Sequence, residues 1–117
     1  MPMFKPSASA LPYKVYSALL SQSGTSAPVA TVLQNTIGSI VWSRAAEGHY
    51  AATLAGAFTE GKTMIFVCPN TISQLGTIAD ANASLNTIIL KIIDTSDSFA
   101  PVDGRMVGTS IEIRVYP

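Results

Sequence analysis

The stretch GAFTEGKTMIFVCPN, residues 56–70, decides between two classes of fold. Its first eight residues fit G-x-x-x-x-G-K-[ST], the phosphate-binding loop of nucleotide hydrolases. Such a loop leads from a strand into a helix, so that backbone N–H groups and the positive end of the helix converge on the phosphates. Here MIFVC follows, with stiff β-branched residues, and Pro69 would break any helix soon after its first turn. We therefore predict a loop followed by a strand, with a chance match to the motif at Gly56, Gly61, Lys62 and Thr63.

Strand-like segments lie on both sides of this stretch. YKVYSALLS (13–21) and PVATVLQN (28–35) are rich in β-branched and aromatic residues, although a short helix beginning at Pro28 is the alternative for the second. IVWSRAAEGHYAATLA predicts a hairpin with its turn at Glu47-Gly48, and residues 49–55 and 62–68 predict another. KTMIFVC and LNTIILKIID (85–94) are typical of strands buried on both faces, whereas TSIEIRVY (109–116) alternates between apolar and polar residues.

These segments predict an all-β fold of about seven strands, an antiparallel β-sandwich that is jelly-roll-like or immunoglobulin-like. A barrel remains the alternative, because strand patterns alone do not separate the two. Residues 71–84 allow either a loop with a short strand or one helical turn. Residues 94–110 form a long connection, and long loops in compact domains are functional or held by partners.

The composition favours an assembled protein. Hydrophobic residues make up 48% of the chain and charged residues only 12%, about half the usual share of roughly 25%. Either Ser and Thr coat the surface, or part of it is buried against other subunits, and the second explains so apolar a chain better. The net charge is zero and no Lys/Arg cluster occurs, so we predict neither nucleic acid nor membrane as a partner.

The first twelve residues, MPMFKPSASALP, predict an extended arm (1–12) ahead of a single domain (13–117). Proline fixes φ, removes a backbone donor and disfavours helix in the preceding residue. The segment has no continuous apolar run of the kind that a signal peptide needs.

Residues with catalytic or metal-binding chemistry are few. The single histidine, His49, fits a hairpin or surface position better than a catalytic triad. The single cysteine, Cys68, lies in an apolar run and predicts a buried structural thiol. Three acids near one loop are interpreted as solvated turn residues rather than calcium ligands: Asp94, Asp97 and Asp103. We therefore predict no metal, no cofactor and no enzymatic activity.

Three phrases of the sequence resemble a known class of proteins: YKVYSALLSQSG, APVATVLQNTIGSIVWSRAAEGHYAATLAGAF and TSIEIRVYP. They are similar to short proteins encoded among the virion structural genes of tailed bacteriophages. The resemblance implies a capsid decoration or cement protein, assembled in the bacterial host cytoplasm, that binds the major capsid protein or other virion proteins as a homo-oligomer, with a trimer favoured. It carries no catalytic residue with it.

The residues expected to make contacts with partners lie in the arm and in two loops. The proline-rich arm loses little entropy on ordering, so it suits a groove or sheet edge on a neighbouring subunit. The alternative function is the receptor- or carbohydrate-binding tip of a head or tail fibre, which requires exposed loop aromatic residues. The candidate contact residues are Met1, Pro2, Phe4, Pro6, Leu11, Pro12, Phe58 and Phe99.

Overall fold

The computed structural model describes residues 11–68, 77–94 and 100–117, and these contain strands but no helix. For residues 77–80 only the backbone is described. The strands are β1 (Lys14–Ser21), β2 (Val29–Asn35), β3 (Val41–Ala46), β4 (His49–Thr53), β5 (Thr63–Cys68), β6 (Thr77–Ala83), β7 (Thr87–Asp94), β8 (Ala100–Pro101) and β9 (Thr109–Val115).

Two antiparallel sheets pack together, which confirms the predicted β-sandwich. In sheet A the strand order is β2-β1-β9-β5, and in sheet B it is β3-β4-β7-β6 with β8 paired to β7. The second strand is confirmed as β2, and the predicted turn at Glu47-Gly48 joins β3 to β4. The described residues contain two strands more than predicted, because β6 forms within residues 71–84 and β8 within the long connection.

The core fills the space between the sheets with alternate side chains of four central strands. β1 and β9 contribute from sheet A, and β4 and β7 contribute from sheet B. The predicted alternation in β9 is confirmed, since Ile111, Ile113 and Val115 are buried. The buried side chains of the other three strands are Tyr16, Ala18 and Leu20, Tyr50 and Ala52, and Ile88, Leu90 and Ile92.

The predicted pairing of β4 with β5 is wrong. β4 pairs with β3 and β7 in sheet B, whereas β5 pairs with β9 in sheet A. Residues 54–62 therefore cross from one sheet to the other. The prediction that β5 is buried on both faces is also wrong, because it is an edge strand whose outward side chains, Met64 and Phe66, are exposed.

The two sides of the sandwich differ. β5 lies against β6 and joins the sheets on one side, which we call the closed side. The opposite side holds the other edge strands, β2 and β3, which a short connection joins but which do not pack along their lengths. We call this the open side. β2 is uncovered there, with six of its seven residues exposed.

Candidate functional site

The loop that matches the phosphate-binding motif offers no cradle for phosphate. Several of its backbone N–H groups already donate to protein oxygens: Gly56 to Asn86 Oδ1 at 2.7 Å and Phe58 to the Leu85 carbonyl at 2.9 Å. Lys62 N–H donates to the Thr59 carbonyl at 3.1 Å, and the Thr63 hydroxyl donates to the same oxygen at 2.9 Å. Because strand β5 follows, no helix end is present to add its positive field. Gly56 and Gly61 are turn residues with φ of 70° and 75°.

A buried polar group joins three loops at one end of the sandwich. We call it the Asp103 cluster, and its members are Gln22, Arg44, Gly48, Tyr50 and Asp103. Arg44 Nη2 lies 2.7 Å from Asp103 Oδ2, and Arg44 Nε donates to the same oxygen at 3.1 Å. Asp103 Oδ1 accepts from the Tyr50 hydroxyl at 2.6 Å and from the Gly48 N–H at 3.0 Å.

Gln22 extends the cluster to the end of β1. Its Oε1 lies 2.9 Å from the Tyr50 hydroxyl and accepts from the Gly104 N–H at 2.7 Å. Its Nε2 donates to the carbonyls of Gly24 and Ser26 at 2.9 and 3.0 Å. The amide is thus bonded at both ends, as a buried polar group requires.

The charges of the cluster are fixed by its hydrogen bonds. The Arg44 guanidinium, together with bonds from Tyr50 and Gly48, holds the pKa of Asp103 well below its usual range. Burial, and then the bond to Asp103, raises the pKa of Tyr50 well above its usual value. Around neutral pH the aspartate is therefore charged and the phenol is neutral, and neither is poised to transfer a proton. The cluster therefore has a structural role: its hydrogen bonds hold the three loops together.

The prediction of solvated turn acids is wrong for two of the three residues. Asp103 lies in the cluster, and Asp94 is buried at the end of β7, where Arg105 Nη2 lies 2.7 Å from its Oδ2. Asp97 lies outside the described residues. Within residues 11–68, 77–94 and 100–117, no group of three or more His, Cys, Asp or Glu could hold a metal ion.

Two of the single-residue predictions are settled by position. His49 begins β4 directly after the hairpin turn, with Nδ1 2.8 Å from the Glu47 carbonyl oxygen, which confirms the hairpin assignment. Cys68 ends the edge strand β5 and is exposed, so the predicted buried thiol is wrong. An edge strand buries only its inward side chains, and Cys68 points outward with Met64 and Phe66.

The predicted contact residues fall into three groups. Phe58 was expected to be an exposed loop aromatic, but it is 0% exposed, because the crossing between sheets carries its ring into the core. Leu11 and Pro12 are exposed and line a groove of about 710 Å³ together with Ile37, Ala57 and Val115. Outside the described residues lie Met1, Pro2, Phe4, Pro6 and Phe99.

The outer face of sheet A carries a group of residues that the sequence did not point to. The Arg114 guanidinium lies between two rings, 4.8 Å from the centroid of Tyr13 and 5.0 Å from that of Phe66, at cation–π distances. Arg114 Nε also donates to Glu112, which accepts from the Ser17 hydroxyl at 3.1 Å. We call Tyr13, Phe66, Glu112 and Arg114 the Arg114 group.

Four large apolar side chains are exposed on the open side. Exposed apolar side chains lie along β2 and at the start of β3: Val29, Val32, Leu33 and Val41. No Asp, Glu, Lys, Arg or His occurs between Lys14 and Arg44. Monomeric proteins seldom leave such an edge strand uncovered.

The comparisons with known proteins add no relative to this description, since no family model, curated protein or solved structure matches the chain. In the part of the chain that the structure describes, no helix is long and apolar enough to cross a membrane.

Proposed function

We propose that this protein is a non-enzymatic structural component of a bacteriophage virion, a decoration or cement protein that binds and stabilises the capsid surface as a homo-oligomer. The observation that carries the proposal is the open side of the sandwich, where the uncharged edge strand β2 is exposed together with the apolar side chains of Val29, Val32, Leu33 and Val41. In a protein that works only inside an assembly, neighbouring subunits cover such a surface. The packed core of the sandwich keeps the shape of that surface constant, so that the subunits can fit against it.

The chemistry of the described residues supports a binding role over a catalytic one. Several backbone N–H groups of the motif loop already donate to protein oxygens. In the Asp103 cluster, neither Asp103 nor Tyr50 is poised to transfer a proton. The resemblance to virion proteins of tailed phages supplies the partner, the major capsid protein or another virion protein. The burial of Phe58 removes one of the two loop aromatic residues that a fibre-tip function requires.

The test is co-sedimentation of the purified protein with capsids from particles that lack it. We expect saturable binding and an increase in the temperature at which the capsids open. Deletion of residues 1–11 is expected to weaken binding while leaving the β-sheet circular dichroism spectrum unchanged. Replacing Pro2 and Pro6 with Ala keeps the length of the arm and should weaken binding less.

The alternative outcomes are distinct. Failure of the intact protein to bind capsids, together with binding to host cells or glycans, would replace the capsid function with that of a fibre tip. Unchanged capsid binding after the deletion would leave the capsid function standing and exclude the arm as its anchor.

A further inference from the structure

We propose that two copies of this chain pair through β2, antiparallel about a two-fold axis at Thr31, so that the two A sheets become one continuous sheet. The proposal rests on the homo-oligomer of the proposed function and names its interface. It replaces the expected trimer with an even-numbered assembly, because a strand that pairs with its own copy does so about a two-fold axis.

Of the two edge strands of sheet A in the described residues, β2 is the less protected. The other edge strand, β5, lies against β6 on the closed side. An unpaired strand edge presents a row of N–H and C=O groups, and proteins usually protect it with charges, prolines, bulges or a covering segment. β2 has a bulge at Leu33, which is unpaired between the Ala18–Val32 and Ser17–Gln34 pairs, but Val29 to Val32 pair regularly with β1, the strand contains no charge and no proline, and both of its faces are exposed.

The edge of the other sheet on this side is better protected. β3 contains a charged residue, Arg44, which bonds to Asp103, and its pairing with β4 is interrupted by a bulge between Arg44 and Ala46. Charge opposes the addition of another strand, and the charge is what distinguishes β3, since β2 also contains a bulge. β2 is therefore better suited than β3 to pair with another strand.

The side chains of β2 alternate in a way that fixes one register. Ala30 and Val32 lie opposite Leu20 and Ala18 of β1, whose side chains are buried, and so face inward. Val29 and Thr31 lie opposite Ser21 and Leu19 and face outward. Leu33 borders an outer-face groove with Ser17 and Glu112 and faces outward too.

A two-fold axis at Thr31 matches these faces with themselves. Val29 then lies opposite Leu33 of the second copy on the outer face, and Ala30 lies opposite Val32 of the second copy on the inner face. Thr31 lies opposite its own counterpart, and Thr–Thr cross-strand pairs are favourable. Shifting the register by one residue would place inward side chains opposite outward ones, so the alternation excludes it. A shift by two residues would keep the faces matched, and the axis at Thr31 is the one that places Thr31 opposite its own counterpart.

The charge distribution identifies a second copy as the occupant. A partner with charged contacts would find none to match on β2 itself, since the chain has no Asp, Glu, Lys, Arg or His from residue 15 to residue 43. An uncharged edge is complementary to another uncharged edge, and the same edge of a second copy satisfies this condition. A specific interface needs about 800 Å² from each partner, more than one strand provides, so Val41 and the connection to β3 would be included.

Two variants on opposite edges of sheet A provide the first test. Leu33→Lys, at a position 65% exposed, would place a charge in the proposed interface without disturbing the core. Met64→Lys is the matched control, since Met64 is also an exposed outward side chain, on β5. By sedimentation we expect a dimer of twice 12.3 kDa for the wild type and for Met64→Lys. We expect the dimer dissociation constant of Leu33→Lys to increase at least about tenfold, because the pairing would desolvate its lysine.

A cross-link provides the second test, and its result does not depend on destabilising the dimer. Directly opposed Cα atoms in antiparallel strands lie about 4.5–5.5 Å apart, within the range that a disulfide spans. In a Cys68→Ala background, Thr31→Cys is expected to form a covalent dimer on mild oxidation. Ser43→Cys on β3 is expected to form no covalent dimer. Circular dichroism checks that each variant is folded.

Three results would overturn the proposal: a trimer or monomer of the wild type at high concentration, a dimer unaffected by Leu33→Lys, or no cross-link at position 31. A dimer that is lost when residues 1–11 are deleted but kept by Leu33→Lys would identify the arm as the contact instead. Capsid binding is measured separately, so a β2 dimer that does not bind capsids would refute the proposed function and leave this inference standing.

Discussion

The Asp103 cluster and the Arg114 group contain the same kinds of side chain, an arginine, a carboxylate and an aromatic ring, in opposite surroundings. In the first, the carboxylate is largely buried and accepts from Arg44, Tyr50 and a backbone N–H. In the second, Glu112 and Arg114 lie partly in solvent on an outer face of the sheet. Buried polar groups must be fully bonded, whereas a solvated pair contributes little to stability. The first region therefore holds the fold together, and the second is free to make contacts.

The largest expected effect is that of Gly48→Ala in the Asp103 cluster. Gly48 has a φ of 67°, and a Cβ there would lie 2.5 Å from the Val102 nitrogen and 2.7 Å from the Ile92 oxygen, both backbone atoms. We expect a loss of about 4 kcal/mol or more in the free energy of unfolding, measured by urea denaturation. Gly56→Ala is the control, with a φ of 70° but open space around it, and should cost only about 1 kcal/mol. Equal losses would show that φ alone matters.

Asp103→Ala is expected to cost about 3 kcal/mol, since it removes the carboxylate that accepts from the Tyr50 hydroxyl and the Gly48 N–H and leaves Arg44 without its partner. The matched variant in the other region, Glu112→Ala, should cost less than about 1 kcal/mol. Both are measured by urea denaturation under the same conditions. Similar losses from the two would remove the distinction between the regions.

The stability of the cluster should depend on pH in a defined direction. The pKa of Asp103 is lower in the folded than in the unfolded chain, so its contribution is complete above the unfolded value and is lost as the pH falls below about 4. The pKa of Tyr50 is raised, so its contribution is complete below about pH 10 and is lost as the pH rises above that. Denaturation from pH 2 to pH 6 should show a weaker acid dependence in Asp103→Asn than in the wild type. An unchanged slope would assign the acid loss to other carboxylates.

Tyr50→Phe tests the smallest change in the cluster. It removes one hydroxyl, which is bonded to Asp103, and keeps the buried ring. The expected cost is about 1–2 kcal/mol in the free energy of unfolding. Tyr13→Phe in the Arg114 group keeps the ring that Arg114 contacts and should cost almost nothing. An unchanged free energy of unfolding in Tyr50→Phe would mean that the hydrogen bonds from Arg44 and Gly48 are sufficient for Asp103.

The smallest expected effect is on the outer face of sheet A. Phe66→Ala removes a half-exposed ring that contacts Arg114 but lies outside the core, so the free energy of unfolding should change by no more than about 0.5 kcal/mol. Phe58→Ala, at a fully buried ring, should cost about 3–5 kcal/mol by comparison. A large loss from Phe66→Ala would make the outer face part of the structural core.

Local patterns predicted the strands that have strong local signals. β9 was identified because Ile111, Ile113 and Val115 alternate with polar residues, and the turn at Glu47-Gly48 was identified from its glycine. For β6 the sequence allowed either a short strand or one helical turn, because TIADANA is poor in strand-forming residues, and its pairing with β7 makes it a strand.

The Asp103 cluster and the pairings between strands distant in sequence could not be predicted from local patterns. Arg44 and Asp103 are 59 residues apart, and an aspartate beside a glycine in a long connection has the same local pattern whether it is solvated or buried. The loop that carries Phe58 was expected to join neighbouring strands, and only its crossing between sheets places the ring in the core. The exposure of β2 also depends on which strands become edges, which no local pattern specifies.

The position of β9 at the centre of sheet A constrains the order in which the chain folds. β9 pairs with both β1 and β5, so β1 remains without one of its two neighbours until β9 has left the ribosome. Contacts over so great a sequence separation form slowly. During that interval β1 and β2, which contain Lys14 as their single charged residue, are exposed to other nascent chains. High-level synthesis should therefore be limited by aggregation before β9 docks, and slower translation or a lower growth temperature should increase the soluble yield.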